Sequence, residues 1–312
     1  MAAATQLLTV ALVIPPLTGV ALGQGKSSAG FLQALNFQPR AQGPLQRIFF
    51  LGLALLETAA ILSIVIGVLL WGTDATEYMT LGAYTGIVLA MAIPGFLVSF
   101  RSAYPLREAF NAVARQPQMG QAITNMLLLM LSFIQTPLIF CFIMSWFLIA
   151  HGPPAHLADA LRLFATGGTL ALGIIGPTLG MTQFVGTVCN AIGKNRNSYN
   201  NIVSFTFISQ AIIETPILFS LIVTLLLFFV VTPATGSFAA GIPYIFAMIT
   251  LGSTAFGAGI SSSRTASTTC QSIARYPHSH RALSRISVLA QTLIDTNVIY
   301  GLIIAFFFLF FA

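Results

Sequence analysis

The sequence predicts an all-α membrane protein, with eight transmembrane helices paired as four tandem helical hairpins. Three observations carry this: an apolar composition, long apolar segments recurring from end to end, and a repeat with periods of 78, 79 and 81 residues. Of the 312 residues, 56% are hydrophobic and 6% charged, and the mean hydropathy is +0.90. A soluble domain carries about 25% charged residues. This chain could not cover a water-facing surface, so its solvent is lipid. The apolar segments fall at 6–34, 45–71, 79–112, 120–150, 160–191, 199–231, 242–273 and 281–311. Each exceeds the roughly 20 residues that cross a bilayer core as a helix. Nothing between them is long enough for a separate soluble domain.

The first hairpin is assigned to residues 1–74. Its opening stretch "MAAATQLLTVALVIPPLTG" has no basic start and no clear cleavage site, so it is expected to be a membrane helix rather than a removable signal. The helix continues with Gly19, Ala21, Gly23 and Gly25 at every second position. Small residues let helix backbones approach closely in lipid. The second helix, "LALLETAAILSIVIGVLL", is apolar apart from Glu57 and its mild neighbours Thr58 and Ser63. Hairpin two, 75–154, carries Arg101 where the first has Gly23, and is expected to have a less smooth inner helix. Hairpin three is assigned to 155–236. Hairpin four, 237–312, repeats the small-residue pattern as Ala255, Gly257, Gly259 and Ser261.

The hairpins share a fixed spacing. Three polar loops contain a proline, in "NFQPRAQ", "ARQPQMG" and "ARYPHSH"; the loop "GKNRNSY" has Arg196 where the others have Pro39, Pro117 and Pro277. Eighteen residues after each of these positions stand Glu57, Gln135, Glu214 and Asp295, followed by Thr58, Thr136, Thr215 and Thr296. Three of the seven acidic residues thus occupy one repeat position; the others are Asp74, Glu77, Glu108 and Asp159, near helix ends or in loops. Arg40, Arg47, Arg107, Arg115, Lys194, Arg196, Arg275, Arg281 and Arg285 cluster in or beside the repeat loops. The loops of the other parity carry Asp74, Glu77, Asp159 and Arg162. The positive-inside rule places the basic loops in the cytoplasm or its equivalent, and both termini on the opposite side.

An ionised carboxylate at the bilayer centre costs about 2.5–3.5 kcal/mol on insertion scales. Desolvation favours its neutral, protonated form. A nearby aqueous path and a fixed cation would release the proton again. A repeated intramembrane acid therefore points to reversible ion binding rather than to one structural hydrogen bond. Gln135 cannot take up and release a proton. The remaining features read as structural. Cys141, Cys189 and Cys270 are scattered, without metal or redox spacing. His278 and His280 read as a solvated loop pair, and His151 and His156, flanking Pro153 and Pro154, as turn residues. Pro137 and Pro216 free backbone carbonyls at membrane depth or simply kink their helices.

These hairpins resemble the c subunit, or proteolipid, of rotary ATP synthases. The resemblance rests on the Gly-rich inner helix, the polar loop and the outer-helix acid followed by Ser or Thr. It is sharpest in "REAFNAVARQP", which holds the only complete Arg-Gln-Pro, Arg115-Gln116-Pro117, and favours an F-type ring. It covers essentially the whole chain as four tandem copies. The resemblance implies a homo-oligomeric rotor ring in membrane lipid, turning against a stator a subunit with two half-channels and an arginine. Glu57, Glu214 and Asp295 would be the ion carriers, with Gln24, Thr58, Thr215 and Thr296 in support. Gln135 and Thr136 would mark a degenerate site that acts as a passive spacer. Pro39, Arg40, Arg115, Gln116, Pro117, Lys194, Arg196, Arg275 and Pro277 would face the γ and ε subunits of the central stalk.

An energy-transducing membrane follows, the bacterial inner membrane by preference, with no cofactor, no metal and no nucleic-acid partner expected. The chain alone is expected to have no ATPase activity. Loss of one acid per fused unit also resembles vacuolar-type proteolipids. Sodium-carrying relatives place a Gln 15 residues before the loop proline; here that position holds Gln24, Ser102, Met181 and Ser262, so protons are favoured over sodium. The competing class is a repeat-built secondary transporter, which usually shows two halves with broken helices.

Overall fold

The structure, a computed structural model, describes residues 2–72, 80–230 and 237–310. Asp74 and Glu77 lie outside the described residues. The helices are α1 (Ala2–Phe37), α2 (Gln42–Leu56), α3 (Thr58–Trp71), α4 (Thr80–Arg115), α5 (Gly120–His151), α6 (Leu157–Lys194), α7 (Tyr199–Phe229), α8 (Phe238–Arg275) and α9 (His280–Phe310). Among the described residues, seven segments are long and apolar enough to cross a membrane; α2 and α3 together make one of them. At 1.5 Å per residue, the 31–38 residues of α4 through α9 measure roughly 45–57 Å, so each overhangs a core of about 30 Å.

The repeat becomes four antiparallel hairpins in two layers. In the inner layer α1 packs on α4, α4 on α6, and α6 on α8. Each outer helix lies over the groove between two inner ones: α2 and α3 over α1 and α4, α5 over α4 and α6, α7 over α6 and α8. Within the chain, α9 rests mainly on α8 and α7. Backbone-to-backbone approach fixes the inner layer. A Cβ on Gly23 would stand 2.7 Å from the Ser99 carbonyl oxygen, and one on Gly19 2.6 Å from that of Phe96. The α6–α8 junction repeats this register: a Cβ on Gly180 would stand 2.4 Å from the Gly259 carbonyl oxygen, and one on Gly176 would meet the Phe256 backbone. At the α4–α6 junction, Arg101 takes the place of the glycine, and close approach shifts to Gly86 against Gly167.

The four loops fold alike. Each begins a short 3-10 turn, at Pro39–Ala41, Pro117–Met119, Arg196–Ser198 and Pro277–Ser279. Proline holds the preceding residue extended in three of them. The third has no proline, and Asn195 supplies the turn: its Oδ1 accepts from the Asn197 amide at 3.0 Å and its Nδ2 donates to the Ala274 carbonyl at 2.9 Å. Four equal turns and one 18-residue spacing bring the outer-helix positions to a common level.

At the far end, Arg162 and Asp159 are buried together, with Nη2 to Oδ1 at 2.6 Å. Arg162 also donates to the carbonyls of Leu227 and Phe228 and lies 3.1 Å from His151 Nε2. It caps α7 and ties it to the ends of α5 and α6. The pair, expected in a loop, forms a buried clamp instead.

Candidate functional site

The site is built where an outer-helix acid meets an inner helix, and its four versions differ. In hairpin one, Gln24 Nε2 donates to Glu57 Oε1 at 2.8 Å, and Glu57 is exposed. Here the outer helix is interrupted, with Glu57 between α2 and α3. Ser99 Oγ, from α4, donates to the Leu56 carbonyl at 3.1 Å, a side chain inserted at the break. The sequence carries no sign of this interruption, since neither proline nor glycine stands at that point.

Hairpin two encloses Gln135, which is 6% exposed, with Oε1 and Nε2 both buried and unpartnered among the described residues. Its inner counterpart Ser102 donates to the Val98 carbonyl of its own helix. Hairpin three holds Glu214 half-buried, with no hydrogen bond among the described residues; the matching inner residue, Met181, is fully buried and offers no oxygen. In hairpin four, Ser262 Oγ donates to Asp295 Oδ1 at 3.3 Å, and Asp295 is 8% exposed.

Three of the threonines that follow these positions donate their protons to backbone carbonyls instead. Thr136, Thr215 and Thr296 donate to the carbonyls of Ser132, Ala211 and Leu293 on their own helices. A second polar group lies one turn nearer the loops. Gln291 donates to Ser209 on α7 and to Ser287, and Gln210 is buried without a partner among the described residues. This cluster was not among the expected site residues. Its signal was present, since Gln210 and Gln291 each precede an acid by four residues.

The loop residues stand at the other end of the same helices. Arg40, Arg115, Lys194, Arg196 and Arg275 are exposed there, Arg196 Nη1 donates to Gln118 at 3.2 Å, and Pro39 is exposed beside them. Gln116, Pro117 and Pro277 are partly covered. His280 Nδ1 lies 3.1 Å from the Pro277 carbonyl, a contact within the turn. The three cysteines are buried and unbridged.

Residues 9–70, 164–227 and 245–308, together more than half of the chain, match the sequence model of a family described as the C subunit of ATP synthase. These stretches hold Glu57, Glu214 and Asp295; the stretch from 71 to 163, which holds Gln135, lies outside them. Among curated proteins, the chain is similar to an ATP synthase c subunit (the copy numbered 2) of Cereibacter sphaeroides, 48% identical over 52 residues, or 17% of this chain and 63% of that relative. The matched stretch therefore spans slightly less than two thirds of that protein. The chain is also similar to the ATP synthase c subunits of Chloroflexus aurantiacus and of Chloroflexus aggregans, each 36% identical over 71 residues, or 23% of this chain and 93% of the relative.

Proposed function

This chain belongs to the C-subunit family of ATP synthases, and from that premise we propose that it is the ion-translocating rotor-ring component of a rotary ATP synthase or ATPase. Glu57, Glu214 and Asp295 bind and release the ion; the observation that carries this is three acids at one repeat position, on equivalent outer helices, at equal distance from four equal turns. Each acid loads from one half-channel of a stator a subunit, crosses lipid in its neutral form, and unloads at the other. The basic loops face the cytoplasm and engage the γ and ε subunits, so that rotation couples to ATP synthesis or hydrolysis. Hairpin two is a passive position. The four hairpins, 1–74, 75–154, 155–236 and 237–312, each act as one c-like unit.

Ring closure is supported by the two ends of the inner layer. A Cβ on Gly25 of α1 or on Gly257 of α8 would meet nothing within 4 Å, unlike the glycines at the internal junctions. If the α1–α4 register continued, Gly257 and Ser261 of one copy would lie against Thr18 and Ala21 of the next. All four are small, as a close inner contact requires. A head-to-tail interface of this kind closes into a ring when its rotation completes a turn.

Protons are the ion this arrangement favours. Sodium needs several oxygen ligands, and among the described residues only Glu57 is hydrogen-bonded to a side-chain amide, that of Gln24. The test is ATP-driven uptake in vesicles holding the assembled complex. Proton uptake without added sodium, stopped by dicyclohexylcarbodiimide, is expected. Sodium uptake would overturn the ion, and a purified assembly without a ring on a stalk would overturn the rotor reading.

A further inference from the structure

Every acid of the repeat has one companion glutamine, but the helix that supplies it changes. Places can be counted along each helix from the shared turn positions, Pro39, Pro117, Arg196 and Pro277. Fifteen residues before the turn, the inner helices hold Gln24, Ser102, Met181 and Ser262. Fourteen residues past it, the outer helices hold Leu53, Leu131, Gln210 and Gln291. Hairpin one therefore takes its glutamine from the inner helix and has leucine on the outer one. Hairpins three and four do the reverse. Hairpin two, which has no acid, has a glutamine in neither place.

The outer glutamine precedes its acid by four residues, so the two are neighbours on one helix face, with Cβ atoms roughly 5–6 Å apart. In hairpin four the amide is held in one orientation. Gln291 Nε2 donates to Ser209 Oγ on α7 at 3.2 Å and to Ser287 Oγ at 3.1 Å. Its Oε1 is buried with no donor among the described residues. A buried acceptor without a donor is costly. Asp295 receives the Ser262 hydroxyl at Oδ1, which leaves Oδ2 for the proton it carries. As a carboxylate Asp295 has no hydrogen to offer Gln291; as an acid it has one.

Hairpin three has the same pair without the serine contacts. Gln210 is 1% exposed, and neither its Oε1 nor its Nε2 has a partner among the described residues. Glu214, one turn further along α7, has no hydrogen bond there either. Packing alone, with an amide tying α9 to α7, accounts for Gln291 Nε2. It leaves Gln291 Oε1 and the whole amide of Gln210 without a reason to be buried.

We propose that Gln210 and Gln291 are positioning residues for the carried proton: the O–H of loaded Glu214 or Asp295 donates to the Oε1 of the glutamine one turn nearer the loops. That bond folds the neutral carboxyl back along its own helix while it crosses lipid. The proton stays on the carboxyl throughout. It arrives from half-channel water and returns to half-channel water, and the amide neither gains nor loses a hydrogen. An amide suits the task because it can accept this bond but cannot take the proton. The inference rests on the carrier reading above.

The experiment records infrared spectra of the purified full chain in lipid, in acid and in alkaline buffer, with carbon-13 in the aspartate side-chain carboxyls. The chain has three aspartates, and Asp295→Asn identifies the acid C=O band of interest. In Gln291→Leu that band should move to higher wavenumber, because an acid that donates no hydrogen bond keeps a stronger C=O bond. In the assembled complex, Gln291→Leu and Gln210→Leu should each lower ATP-driven proton uptake by roughly two- to tenfold. Adding Met181→Gln to Gln210→Leu moves the glutamine to its place in hairpin one with little change of volume, and should restore most of the uptake. A band that stays in place in Gln291→Leu would overturn the proposal, and with uptake lost as well would leave that glutamine a packing role only. Uptake unchanged in both leucine variants would overturn it too. A parent spectrum with no acid band from Asp295 at any pH would instead remove that residue as a carrier.

Discussion

Glu57, Glu214 and Asp295 share a repeat position but not an environment: one is held by an amide, one has no partner among the described residues, and one takes a serine hydroxyl. Dicyclohexylcarbodiimide attacks protonated carboxyls in apolar surroundings. Peptide mass spectrometry should find the adduct on all three acids and none on Gln135. Millimolar sodium should protect weakly; strong protection at all three would make sodium the carried ion. Glu214→Gln should reduce ATP-driven uptake to background, because hairpins two and three would then both lack an acid and leave a gap of three hairpins between Glu57 and Asp295. Gln135→Leu should cost little, since the amide has no partner among the described residues to lose. Normal pumping by the first variant and failure of the second would invert carrier and spacer. The acids were legible because a charge stands out in an apolar helix. Ser262 was legible through its repeat position, the one that holds Gln24 in hairpin one; Ser99 was not, because a serine in a small-residue helix looks like packing until its hydroxyl is seen to meet a partner.

Among the elements, the one interrupted outer helix is not one that carries a proline. Pro137 and Pro216 sit inside the continuous helices α5 and α7, while the interruption falls at Glu57, beside the inserted Ser99 hydroxyl. That donor comes from another hairpin, so no local pattern could signal it. The loop turns were legible in three hairpins from proline; in the third, Asn195 provides the same turn by a side-chain route. The far-end clamp was hidden too, because Asp159 and Arg162 are common residues for a helix start and only packing buries them. Arg162→Leu would leave Asp159 buried without its partner and two α7 carbonyls without their donor. It should destabilise the chain by about 3–5 kcal/mol, read as a lower thermal midpoint in detergent. Adding Asp159→Leu should recover much of that loss; no recovery would mean that the capping of α7, rather than the ion pair, holds this end.

At the scale of the whole molecule, the two-layer order of hairpins followed from period and composition, because a small-residue stripe can pack closely on a neighbour whichever hairpin supplies it. The open glycine faces on α1 and α8 predict that Gly257→Leu leaves the single chain folded but stops ring closure, seen as loss of the large species in native mass spectrometry. Rings of normal size would show that the copies meet elsewhere. Because Gln135 is enclosed at a fixed place among three acids, the assembled wheel would have a missing tooth at every fourth position. Its gear ratio could change only by whole chains, never by a single hairpin. Its stepping would be uneven, two single advances and one double advance per chain, a rhythm that single-particle rotation records would resolve and that equal steps would refute.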